Sequence, residues 1–171
     1  TQVLTNQIIR ECNVPIVLDA DGINCILPNI DILREAHGDV VITPHPAEMA
    51  RLINESINYV QQNRIAVAKA FANEYGAIVV LKGANTVVTN GEDVFVNTTG
   101  NAGMAMGGTG DMLAGIIGSF IAQGMDAFSS AKCAVYIHGL CGDITAKELS
   151  QRGMTVDDML ELLPALLSEF E

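Results

Sequence analysis

Short apolar runs alternate with stretches of helical spacing from one end of this chain to the other, and no other feature restricts the available folds so strongly. Pro15–Asp19 (PIVLD), Val40–Thr43 and Ala77–Leu81 are dominated by Val, Ile and Leu and bounded by turn formers, the pattern of strands buried on both faces. Thr1–Cys12, Ile30–Ala36 and Val60–Tyr75 carry helical spacing, the last stopping at Gly76, a good C-cap. Asp19-Ala20-Asp21-Gly22 is expected to turn the chain after the first strand. The second strand stops at Pro44-His45-Pro46, where Pro46 and Glu48 suit the first turn of a new helix. Thr86–Thr89 and Asp93–Asn97 flank Asn90-Gly91, a strong hairpin signal. Helices are expected over Asp111–Gln123, Ala127–Leu149 and Val156–Phe170. Strands alternating with helices predict an α/β fold: a three-layer αβα sandwich around a mostly parallel sheet.

With 171 residues, one core is affordable and two full domains are not, so residues 1–171 are expected to form a single domain. The net charge of -11, with no basic stripe, argues against a nucleic-acid partner. It also means that any anionic ligand must be held by local backbone amides and a few cations. Cys12, Cys25, Cys133 and Cys141 lack metal-site or disulfide-frame spacing, so free buried thiols in a reducing, cytoplasmic compartment are expected. The most apolar stretch, Met112–Ala122, is too short for a bilayer and is interrupted by Gly115 and Gly118, and no signal peptide is visible, so no membrane role is expected.

Those conditions direct attention to Thr98–Gly118, which holds seven glycines. Gly107-Gly108-Thr109-Gly110-Asp111 opens a helix, so unpaired N–H groups and the positive end of the helix dipole converge there as an anion site. Asp111 then sits where a carboxylate can take the proton of a hydroxyl that attacks a phosphoryl group. The plainer alternative makes Asp111 an N-cap and the glycines aids to packing. The preceding hairpin and the following apolar helix favour chemistry. The turn is not a Walker loop, because no Gly-Lys-Ser/Thr follows the glycines.

Four pieces in order carry a resemblance: Leu18-Asp19-Ala20-Asp21-Gly22-Ile23-Asn24, Thr43-Pro44-His45-Pro46-Ala47-Glu48-Met49, Leu81-Lys82-Gly83-Ala84-Asn85-Thr86, and the run from Asn101 to Gly115. Tyr136-Ile137-His138-Gly139 and Gly142-Asp143 add to it. Together they resemble the ribokinase-like fold and, within it, the ADP- or ATP-dependent NAD(P)H-hydrate dehydratases. The resemblance implies a repair reaction: the hydroxyl of hydrated NADH or NADPH (NADHX, NADPHX) is phosphorylated by ADP or ATP, with Mg2+, and loss of phosphate restores NAD(P)H. It implies Asp111 as the base, also touching the hydrated dinucleotide, with His45 facing the same substrate. It places Lys82, Gly83, Ala84, Asn85 and Thr86 along the adenine nucleotide, and Gly107, Gly108, Thr109 and Gly110 at its phosphates.

The family pattern also carries roughly another hundred residues before the position matching Thr1, about one domain's worth. The expectation is therefore a partial ribokinase-like domain lacking its N-terminal strands, whose uncovered apolar surface calls for a homo-oligomer. Lys82 alone reads as a solvated strand-end lysine. His45, between two prolines, reads as rigid and exposed. Asp19 and Asp21 either reach substrate or metal or only build their turn. His138 on an apolar helical face reads as structural, Met104 and Met106 as gap fillers, and Glu48 as a first-turn carboxylate. Two rivals stand beside the dehydratase: a kinase of the same fold acting on a vitamin precursor or sugar, and a non-catalytic nucleotide-binding module.

Overall fold

Period-two alternation along the strands sends side chains to two separate cores, and this builds the three layers. The computed structural model describes residues 1–170. Strands β1 (Ile16–Leu18), β2 (Val40–Ile42), β3 (Ile78–Leu81), β4 (Val87–Thr89) and β5 (Val94–Val96) form one sheet in that spatial order. The first three run parallel, and the hairpin adds β4 and β5 antiparallel. Val40, Ile42, Val79, Leu81 and Val87 face one side. There they meet α1 (Gln2–Glu11), α2 (Asp21–Ile26), a 3-10 segment (Leu27–Glu35), α3 (Pro46–Leu52), α4 (Ile57–Gln62) and α5 (Arg64–Tyr75). Val41, Ile78, Val80 and Val88 face the other side, against α6 (Thr109–Ala122), α7 (Ala127–Leu149) and α8 (Val156–Leu167).

The expected elements are present, with four local differences. The helical spacing over Val60–Tyr75 belongs to two helices, because Asn63 leaves helical geometry (φ -126, ψ 30) and its side-chain amide donates to the Tyr59 carbonyl, 2.9 Å, ending α4. The turn expected over Asp19–Gly22 is tighter, with Ala20 at φ 47 and α2 starting at Asp21. Around Ile30–Ala36 the helix is of the 3-10 type, and a kink at Asn29 (φ -153, ψ 72) separates it from a preceding turn that starts at Leu27. The last helix ends at Leu167, and a 3-10 turn follows over Ser168–Phe170. All four cysteines are free, but only Cys141 is buried and the others are half-buried. Among the described residues no helix is long and apolar enough to cross a membrane.

Two features of this packing position a site. Because β1, β2 and β3 are parallel, their C-terminal ends lie on one edge of the sheet, where the Thr43 amide donates to the Leu18 carbonyl and the Lys82 amide to that of Pro44. The segment after β5 is strapped to α7. Asn97 donates to the Val135 carbonyl (3.0 Å), Thr99 to that of Tyr136 (2.8 Å) and Asn101 to that of Gly142 (2.9 Å), while Asp143 accepts from the Gly100 amide (2.8 Å) and from Asn101 (3.0 Å).

The strap lies so close to α7 that a Cβ on Gly139 would overlap the Thr99 hydroxyl and stand 2.7 Å from its carbonyl carbon. Gly139→Ala is therefore expected to cost about 1–3 kcal/mol of stability, read as a lowered midpoint in urea unfolding. An unchanged midpoint would show that the strap is free to move away from α7.

Candidate functional site

The C-terminal end of β3 and the mouth of α6 meet around one cavity of about 500 Å³. One wall is Lys82-Gly83-Ala84-Asn85-Thr86, another is the strap from Asn97 to Asn101, and Thr109, Gly110, His138 and Gly139 close it from the helical side. The cavity thus brings together seven of the residues singled out by sequence: Lys82 to Thr86, Thr109 and Gly110. Gly107, Gly108, Asp111 and His45 are not among its lining residues.

The α6 mouth is shaped by its sequence. Gly108 takes φ 92, a left-handed geometry that costs a side-chain-bearing residue energy, and it is the N-cap. Thr109 turns inward and donates to the carbonyls of Met106 (2.9 Å) and Met104 (3.1 Å), fixing the loop onto the helix. No side chain caps α6, so its first amides have no side-chain partner, the condition an anion site needs. Asp111 stands exposed in the first turn and makes no hydrogen bond or ion pair among the described residues.

Among the described residues Lys82 is the one Lys or Arg lining the cavity, and it is not solvated: its ammonium lies 2.7 Å from Asp19, with side-chain exposures of 21% and 13%. The strand-end lysine of the plainer expectation is thus replaced by a sequestered pair. Burial opposes ionisation of Asp19, but hydrogen bonds from Lys82 and Thr43, the Lys82 charge and the Ala20 amide outweigh it and hold the carboxyl below its usual range. Asp19 therefore spends its charge on Lys82. The pair lies directly beneath the helix mouth, since a Cβ on Gly110 would come within 3.3 Å of Asp19 Oδ2 and 3.4 Å of Lys82 Nζ.

His45 is exposed, as its flanking prolines predict, and it is also the N-cap of α3. The amides of Ala47 and Glu48 donate to its Nδ1, 3.1 Å each, and its own amide donates to the buried Glu48 carboxylate, 2.7 Å. A neutral ring that accepts at Nδ1 carries its proton on Nε2, which lies 3.5 Å from Glu48 Oε1. The capping box therefore sets the tautomer. Sequence reasoning left His138 out of the site, but it lines the cavity, 9% exposed, with Nε2 buried and without a partner among the described residues. The signal for it was its place in the Tyr136–Gly139 run. Asp143 and Arg64, the latter bonded to the carbonyls of Leu81 and Lys82, were also missed as supports.

Among the described residues no group of three or more His, Cys, Asp or Glu is placed to hold a metal ion. With Asp19 tied to Lys82 and Glu48 to His45, the donor set fits magnesium only as part of a metal–nucleotide complex, with Asp111 the open carboxylate at the helix mouth.

Comparison with known proteins agrees with this geometry. A family model described as NAD(P)H-hydrate dehydratase matches residues 2–165. The bifunctional NAD(P)H-hydrate repair enzyme Nnr of Moorella thermoacetica is 39% identical over 170 residues, 98% of this chain and 32% of that protein. The chain therefore spans about a third of that relative's length. Among solved structures, an ADP/ATP-dependent NAD(P)H-hydrate dehydratase from Bacillus subtilis, co-crystallized with ATP/Mg2+, aligns with a TM-score of 0.85 at 30% identity, covering 95% of this chain and 57% of that one. A ribokinase-like superfamily protein from Enterococcus faecalis aligns at 0.84 and 29%, covering 99% and 58%. The fold is ribokinase-like, and the chain belongs to the NAD(P)H-hydrate dehydratase family.

Proposed function

We propose that this chain carries the phosphoryl-transfer half-site for dehydration of hydrated NAD(P)H at the expense of ADP or ATP. The observation that carries the reading is the uncapped, glycine-built mouth of α6: Gly110 borders a cavity wide enough for a nucleotide, and the next residue is a free carboxylate. The nucleotide would lie along Lys82–Thr86 with its phosphates at the Gly107–Gly110 amides. Magnesium, when bound with the nucleotide, would neutralise charge on the phosphates.

Asp111 takes the proton from the ring hydroxyl as that oxygen bonds to the terminal phosphorus and the bond to the leaving AMP or ADP breaks. The hydroxyl has then become a phosphate ester, a better leaving group. The ring nitrogen's lone pair expels it, the carbon–oxygen bond breaks, and loss of a ring proton restores the dihydronicotinamide. His45 offers its Nε2–H to the same substrate. The Lys82–Asp19 pair keeps the floor beneath Gly110 electrically neutral, so the phosphates are held by amides more than by ammonium charge.

Incubating the protein with NADHX and ADP or ATP while following the absorbance of restored NADH tests the reading. Steady recovery that depends on nucleotide is expected. A stable phosphate ester of a small alcohol with no NADH recovery would favour the kinase alternative, and nucleotide binding without turnover would favour the binding module.

A further inference from the structure

Arg64 opens α5, is not among the residues lining the cavity, and reaches with its side chain to the end of β3. One guanidinium nitrogen donates to the Leu81 carbonyl at 2.7 Å and to the Lys82 carbonyl at 3.3 Å; the other donates to Gln61 Oε1 at 3.0 Å. The same group lies against Gly83, where a Cβ would stand 3.3 Å from Nη1. Gly83 holds φ 135 and Asn85 φ 54, left-handed geometries that these two residue types adopt readily, so the Lys82–Thr86 wall leaves the regular strand. Within the wall, Thr86 donates to the Gly83 carbonyl at 2.9 Å. The support from outside comes from Arg64.

Its cost is visible. The Arg64 Nε–H is buried without a partner among the described residues, and burial pushes the guanidinium pKa down from its usual value, although an arginine stays charged. In a chain of net charge -11, with Lys82 spent on Asp19, Arg64 also brings a second positive charge to the back of this wall.

We infer that Arg64 is a positioning residue for the nucleotide: its guanidinium fixes the Leu81–Gly83 backbone in the form that makes Lys82–Thr86 a binding wall. The inference rests on the nucleotide role proposed for the cavity. It acts on nucleotide affinity and not on the proton transfer at Asp111 or on the hydrated dinucleotide.

The test compares the full chain with Arg64→Met, which keeps the stem and loses the fork, and Arg64→Lys, which keeps a charge able to reach one carbonyl. Calorimetric titration with ADP and with ATP, steady-state NADH recovery and thermal unfolding are read together. Arg64→Met is expected to raise the nucleotide Kd and KM by about tenfold or more, Arg64→Lys by less, with kcat at saturating nucleotide and KM for NADHX within about twofold. Wild-type nucleotide affinity in a folded Arg64→Met overturns the inference and leaves the cavity's role standing. So does a uniform fall of every parameter in step with the melting temperature, which a merely structural arginine would give. If Arg64→Met does not fold, Arg64→Lys decides alone, since unchanged Kd there contradicts the assignment. A wild-type protein that binds no adenine nucleotide overturns both the inference and the reading beneath it.

Discussion

Asp111→Asn is expected to slow NADH recovery by roughly 10²–10⁴-fold while leaving the Kd for ADP or ATP within about threefold of wild type. The split follows from where the carboxylate sits. Asp111 is exposed in the first turn of α6 and its side chain holds no partner among the described residues, so its removal takes away no contact that the fold relies on. The amide substitute keeps the shape and cannot accept a proton from a hydroxyl. What is lost is an interaction made as the proton moves, which lowers kcat with little effect on ground-state binding. A rise in nucleotide Kd that matches the fall in turnover would instead make Asp111 a phosphate or metal ligand.

Acid should destabilise the protein well above the range where its carboxylates titrate, and His138 is the cause. Burial pushes its pKa down to about 4, helped by the Lys82 charge and opposed by the Thr109 backbone. In the unfolded chain the same ring takes its proton near its ordinary value of about 6.5. Above that pH both states are neutral and His138 adds no pH dependence. As pH falls from about 6.5 to about 4, the unfolded chain binds a proton that the folded protein refuses, and stability declines by about 3 kcal/mol. Below about 4, Asp19 continues the loss, because its lowered carboxyl must be protonated before the Lys82 pair breaks.

Urea unfolding between pH 7.5 and 4.5 measures this, and His138→Phe should flatten that upper window. Equal slopes in the two proteins would mean that the ring is protonated in the folded state. Cys141, whose thiol burial pushes up to about 11, stays out of the titration and donates its S–H to the Met159 carbonyl.

What was legible in the sequence was local. The strands, the Asn90-Gly91 hairpin, the Gly76 cap and the glycine turn opening α6 each depend on residues a few positions apart, and spacing records them. In the hairpin, Asn90 accepts from the amides of Glu92 and Asp93, the turn chemistry its residue type predicts. The break at Asn63 escaped because the apolar spacing runs on across it while one side chain redirects the backbone.

The groups that complete the site escaped for the opposite reason. Lys82 meets Asp19 across 63 positions, Asp143 meets Gly100 across 43, and Arg64 meets Leu81 across 17. Each is created by packing β1, β3, α5 and α7 around one sheet, and no window along the chain contains both partners. His45 shows the mixed case: its prolines announced an exposed, rigid residue, but the tautomer set by Ala47 and Glu48 appears only in the folded helix.

The most direct test of the account is a crystal structure of the protein with magnesium and ADP or a non-hydrolysable ATP analogue. The account predicts the nucleotide along Lys82–Thr86, its phosphate oxygens within hydrogen-bonding distance of the Gly107–Gly110 amides, and the Asp111 carboxylate open beside the terminal phosphate. Phosphates bound elsewhere, with the α6 mouth unoccupied, would contradict it.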